Sequence, residues 1–165
     1  MSKFEEICAA YKVSKENFNS YRKESMDFAV TLGRKYIQYL GVDADHFRWV
    51  PEAKQDSTGN NFTIPGAMHL DDDTYWHLGL KLRVYSARNV MPQQDVFIVF
   101  MFKKVADCEF AIKVRAEDKP HTIETDKDAS YTVFFNHLQK LILEIYEDDL
   151  NNFLQSEQQS RRIGF

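Results

Sequence analysis

Cysteine, glycine and proline are all scarce in this 165-residue chain, and each shortage excludes something. The two cysteines, Cys8 and Cys108, stand far apart and form no Cys-x-x-Cys pair. Neither a disulfide framework nor a thiolate zinc motif is therefore written here, and both read as reduced, packed thiols. Six glycines and four prolines are too few for a collagen-like or low-complexity chain. The glycines at 33, 41, 59, 66, 79 and 164 spell neither GxGxxG nor a phosphate loop ending in Gly-Lys-Ser/Thr. No GxSxG elbow and no HExxH helix occurs. Long apolar runs are missing too. The longest covers residues 96–102, seven in all, whereas a membrane-spanning helix needs about 20. The opening Met1-Ser2-Lys3-Phe4-Glu5-Glu6 carries acids where a signal peptide has basic and then apolar residues, which points to the cytoplasm. Asn61-Phe62-Thr63 is a formal glycosylation sequon without meaning unless the chain is secreted. No cofactor is implied, and the missing motifs weigh against an enzyme without excluding one, because catalytic groups can come from scattered positions.

Aromatics are plentiful: 13 Phe, 8 Tyr and 2 Trp in a chain that is 44% hydrophobic. That supply suits one large core, and the length suits one domain. Residues 1–158 are read as a single α+β domain and 159–165 as a frayed tail.

The apolar periodicity sets the elements. Ser2 with Glu5 makes a capping-box pattern, and Phe4, Ile7, Cys8 and Tyr11 follow at helical spacing, which predicts a first helix of about ten residues. Ser14 would cap a second helix over 15–40, ended by Gly41. Residues 76–84 then switch to period 2, with Trp76, Leu78, Leu80, Leu82 and Val84 on one face. Residues 108–114 alternate in the same way, while 96–102 are apolar throughout and therefore covered on both faces. The run 61–70 reads as a further strand interrupted at Pro65-Gly66. Weaker strands are expected at 46–50 and 121–125, with a loop over 86–94 and a turn at 105–107. From 130 to 158 the helical period returns. Connections this short make the sheet an antiparallel meander of about five strands, with long N- and C-terminal helices packed on it.

Register follows from keeping like faces together. It pairs Leu70 with Trp76, Met68 with Leu78, Ile64 with Leu82 and Phe62 with Val84. It also sets Leu82 beside Ile98 and Ile98 beside Ile112. Even-numbered positions then form the core. The odd face carries Phe97, Val99 and Met101, flanked by Lys81, Arg83, Lys113 and Arg115, with Lys103 near one end. Residues 75–115 hold seven Lys/Arg against three Asp/Glu, so the formal charge of −4 averages a +4 meander with a −8 remainder. An apolar strip rimmed by cations on an acidic chain is a candidate partner-binding surface, unless a helix covers it.

Three function classes follow. The leading one is a protein-interaction or regulatory module of the adaptor or chaperone kind, meeting a protein partner or a second copy through the sheet face. The alternative is nucleic-acid binding by the same face, with Phe97, Tyr85 and His77 as stacking residues between the cations. The third is a small metal-dependent enzyme. For a metal, the register places His69 opposite His77 across a turn carrying Asp71, Asp72 and Asp73, and His69, His77 and Asp72 are the candidate ligands. Asp95, Glu109 and Lys113 are the residues a metal-dependent nuclease would need, but Glu109 and Lys113 are spaced too widely for one. His46, His121 and His137 read as isolated, Trp49 and Trp76 as packing, and Glu144, Glu147, Asp148 and Asp149 as a solvated helix face.

Overall fold

The computed structural model describes residues 1–54, 62–87 and 90–147, and the backbone of a short strand at 160–162. Helix α1 runs unbroken over Lys3–Leu40. Its start is the expected capping box: Glu5 N–H donates to Ser2 Oγ at 3.1 Å, and Ser2 N–H donates to the Glu5 carboxylate at 2.6 Å. Its end is Gly41 at φ 67°, whose N–H donates to the carbonyls of Ile37 and Gln38. An L side chain enters that left-handed conformation only at a cost. The expected restart at Ser14 does not occur. Residues 12–15 contain neither glycine nor proline, and a serine inside a helix costs only some tenths of a kcal/mol. The stripe before Ser14 is also in phase with the stripe after it, so nothing favours a break.

Strands β1 (Phe47–Trp49), β2 (Met68–Leu70), β3 (Trp76–Ala87), β4 (Val90–Ala106), β5 (Glu109–Lys113) and β6 (His121–Glu124) form one sheet. Its order is β1-β3-β4-β5-β6, all antiparallel, with β2 sharing the β1 edge of β3. This is the α+β architecture the periodicity predicts. Helix α2 (Asp128–Glu147) follows β6; the predicted continuation to 158, including Asp148 and Asp149, lies outside the described residues. Within the expected tail, β7 (Ser160–Arg162) runs parallel to β4, where β5 no longer pairs with it.

Both helices lie on the even face. Phe28, Leu32 and Tyr36 of α1 and Tyr131, Phe134 and Leu138 of α2 pack on Leu78, Leu80, Ile98, Phe100, Phe102 and Ile112. Many of the aromatics are spent there. Phe28 stacks on Phe110 at 4.0 Å and 3°, and Tyr36 meets Phe100 edge-on at 5.5 Å and 78°, both favourable ring geometries. Residues 96–102 are buried at every position, as their unbroken apolar run requires.

The register differs from expectation in detail while preserving the faces. Leu70–Trp76 and Met68–Leu78 pair as expected. Ile64 and Phe62 do not reach Leu82 and Val84. Ile64 is helical (φ −55°, ψ −50°) and leads into a 3-10 turn over Pro65–Ala67, and proline has no N–H for a ladder. Strand β1 takes the vacant edge instead, with Phe47 opposite Leu82 and Trp49 opposite Leu80. Leu82 faces Val96 rather than Ile98, and Ile112 faces Phe102. These slides, of two and four positions, leave every side chain on its own face. Their origin is the hairpin tips. Most of the loop expected over 86–94 is strand, and the next tip has Cys108 at φ 58°. Cys108 is exposed there and Cys8 is exposed on α1, so neither thiol is packed as expected.

Candidate functional site

Three features of the fold could meet another molecule: the odd face of the sheet, a cluster at the β2–β3 hairpin, and the first half of α1. The odd face is built by alternation. Strand β3 gives it Tyr75 (just before the strand), His77, Gly79, Lys81 and Arg83. Strand β4 gives Phe97, Val99, Met101 and Lys103, and β5 gives Lys113. Phe97, Val99 and Met101 are buried together with Tyr75 in a small second core. Among the described residues, neither long helix covers them: both pack on the opposite face. After β1 the chain bends across this face: Val50 N–H donates to Gly79 O at 3.0 Å. A Cβ at Gly79 would lie 1.9 Å from the Val50 carbonyl oxygen and 3.2 Å from the Phe97 ring. Tyr75 carries two cations on its ring, Lys103 at 4.7 Å and Lys113 at 4.6 Å, a favourable cation–π arrangement.

Three cations of the basic rim are engaged locally. Arg83 Nε donates to Asp95 at 3.1 Å and Arg115 Nε to Asp118 at 3.1 Å, while Lys113 Nζ donates to Ala116 O at 2.9 Å. A phosphate would have to displace these partners, and the rim leaves less charge for nucleic acid than its composition suggests. The nuclease candidates do not converge. Asp95 lies opposite Arg83, Lys113 opposite Met101 and Glu109 opposite Ala106.

The hairpin brings two imidazoles together as expected: His69 and His77 are cross-strand partners, with ring centroids 5.2 Å apart. The connecting loop closes with Thr74 N–H donating to Asp71 O and Asp71 N–H to Tyr75 O, both at 3.0 Å. Thr74 sits at φ 73°, the left-handed residue that a three-residue hairpin loop demands, at a cost of about 1–2 kcal/mol for a non-glycine. The carboxylates differ from expectation. Asp72 stands outside the cluster. Asp71 joins it from the turn, and Glu52 joins from a 3-10 turn (Glu52–Lys54) just past the Val50 crossing.

His77 is 5% exposed and clamped between two acids, with Nδ1 2.6 Å from Glu52 Oε2 and Nε2 2.8 Å from Asp73 Oδ2. His69 Nε2 lies 3.9 Å from Glu52 Oε2 and 3.8 Å from Asp71 Oδ2. Burial opposes ionisation of Asp73, but hydrogen bonds from Tyr75 N–H and His77, with the charges of His77 and Lys113, hold it below the usual carboxylate range. Among the other histidines, His121 and His137 are not isolated: their rings are 4.6 Å apart. His46 meets Tyr85 edge-on.

The third feature was not anticipated. Residues 1–20 are exposed at every position, so the first half of α1 projects beyond the sheet. Its apolar side chains form a bare stripe: Phe4 is 73% exposed, Ile7 67%, Tyr11 66% and Phe18 50%. The spacing was visible in the sequence, but the absence of anything beneath it was not. Among the described residues, no helix is long and apolar enough to cross a membrane. No protein-family model matches this chain, and no curated protein or solved structure matches it at a significant level.

Proposed function

We propose that this chain is a non-enzymatic interaction module, of the adaptor or chaperone kind, that self-associates through the first half of α1. The observation that carries the reading is the projecting stripe. Phe4, Ile7, Tyr11 and Phe18 occupy the same heptad frame as Tyr21, Ser25, Phe28 and Leu32. That second set packs on the sheet or lies at its boundary. One continuous seam is thus core at one end and solvent-facing at the other. An amphipathic helix leaves such a stripe bare only where something else covers it.

The occupant is a second copy, packed antiparallel. Residues 1–11 carry Lys3 against Glu5 and Glu6, a net −1, whereas residues 12–24 carry Lys12, Lys15, Arg22 and Lys23 against Glu16 and Glu24, a net +2. Antiparallel pairing sets each acidic end beside a basic one and opposes the helix dipoles. The four stripe residues offer roughly 500 Å² per copy at their observed exposures. With the lysine stems beside them, the contact approaches the ~800 Å² per partner typical of stable interfaces. The sheet face is the weaker choice, since Phe97, Val99 and Met101 are already covered within the chain.

Light scattering and sedimentation across a concentration series test the reading. The wild type should dimerise and stay dimeric in high salt, while Tyr11→Asp should be monomeric and still unfold cooperatively, at the temperature of the wild type diluted to monomer, because residue 11 is exposed and touches no core. A wild type that is monomeric at high micromolar concentration would refute the proposal, as would a dimer indifferent to Tyr11→Asp and Phe4→Asp.

A further inference from the structure

The geometry points to a divalent metal site at Glu52, His69, Asp71 and His77, and we propose that it takes a zinc-like transition-metal ion that fastens the Val50–Glu52 crossing to the β2–β3 hairpin. Each of the four residues offers one ligand atom, and these atoms lie within 4.8 Å of one another. A tetrahedral zinc site with bonds of about 2.0–2.1 Å has ligand–ligand edges of roughly 3.3 Å. The separations here bracket that value. Glu52 to His77 Nδ1 is 2.6 Å, Asp71 to His69 is 3.8 Å, and Glu52 to His69 is 3.9 Å. Side-chain rotations that lengthen the first edge and shorten the other two would bring them to that value.

The chemistry of the donors agrees. Two imidazoles with two carboxylates suit zinc and its neighbours, whereas magnesium and calcium prefer oxygen alone. Three acids, Glu52, Asp71 and Asp73, crowd two histidines, leaving an excess of negative charge that a dication offsets in large part. Asp73 lies against His77 Nε2 and Glu52 against Nδ1, so an ion held by Glu52 and His77 takes Nδ1 in place of the proton shared there and leaves Asp73 to orient the ring, the carboxylate–histidine–metal arrangement of many such ligands. Two ligands come from a paired hairpin, where the backbone ladder holds them in place. The other two come from a turn and from a segment remote in sequence. A metal there would cross-link the hairpin, its turn and the Glu52 segment through one centre.

The test uses the full chain, first stripped with a chelator and then titrated with Zn²⁺ by calorimetry and thermal melting, with Mg²⁺ in a parallel arm. One Zn²⁺ per chain should bind and raise the melting temperature by several degrees. Hydrogen exchange should slow over 50–54 and 68–77, and Mg²⁺ should be silent. His69→Gln changes a half-exposed residue and should keep the fold, yet weaken Zn²⁺ binding by about 100-fold. His137→Gln, which alters the other imidazole pair, should bind as the wild type does. Absence of Zn²⁺ binding, an equal response to Mg²⁺, or full affinity in His69→Gln would overturn the assignment. Because α1 takes no part, dimerisation and metal binding fail independently.

Discussion

Gly79→Ala probes the crossing on which the odd face and the hairpin cluster both depend. The new methyl would sit 1.9 Å from the Val50 carbonyl oxygen, where carbon and oxygen ordinarily approach no closer than about 3.3 Å. The obstacle is backbone, so the crossing chain must retreat by well over an ångström. That movement breaks the Val50 N–H to Gly79 O bond of 3.0 Å, a loss of about 1 kcal/mol. It also partly exposes Val50, which is fully buried; complete exposure would cost about 1.5–3 kcal/mol, and half of that is a fair share. Alanine recovers roughly 0.5–1 kcal/mol by restricting the unfolded chain. The net destabilisation is about 1–2 kcal/mol, or roughly 2–8 °C in Tm for a chain of this size. Urea denaturation should show a lower midpoint with an unchanged slope. Glu52 should move with Val50, so Zn²⁺ affinity should fall in the same variant. A Gly79→Ala protein as stable as the wild type would refute the close crossing and the placement of Glu52 derived from it.

Two other outcomes follow from groups the proposals do not use. Tyr36 is fully buried, and its hydroxyl has no hydrogen-bond partner among the described residues; burial, then Tyr39, raises its pKa. Tyr36→Phe removes an unsatisfied polar atom while keeping the ring contacts. It should therefore stabilise the protein by about 1 kcal/mol in urea titrations, and a loss of comparable size would reveal a missed partner. Burial, then His137, holds His121 below its ordinary 6.5, with Asp118 pulling the other way. The unfolded chain thus takes up a proton at His121 before the folded one does. The stability this linkage contributes is present above pH 6.5 and is lost as pH falls from there through the lower folded value. Melting temperatures measured across that window should decline less steeply in His121→Gln, and identical slopes would show that His121 is not responsible.

Even-numbered apolar positions on β3, β4 and β5 were legible as core because alternation is a local property, enforced wherever one face meets water. The pairing of His69 with His77 was legible for a related reason: a short turn rich in aspartate leaves little choice of register for the residues beside it. The partner of Leu82 was not legible, since sliding a strand by two keeps every face and changes no local preference. Ser14 misled because its capping chemistry is real but weak beside an uninterrupted helical stripe. Phe4 and Tyr11 were correctly placed on a helix face, but helical spacing reads the same whether a stripe is buried or bare.

The amino-acid sequence by itself determined the α+β class, the capped ends of α1, the core face of the sheet and the meeting of two histidines. All of these rest on interactions within a few residues or on strict periodicity. Tertiary structure alone decided that α1 outruns the sheet, that Phe97, Val99 and Met101 are buried on the face opposite α1 and α2, and that Glu52 rather than Asp72 completes the histidine cluster. Each of those depends on where remote segments cross in space. Glu52 reaches His77 from 25 residues away because Val50 can lie directly over a residue with no side chain.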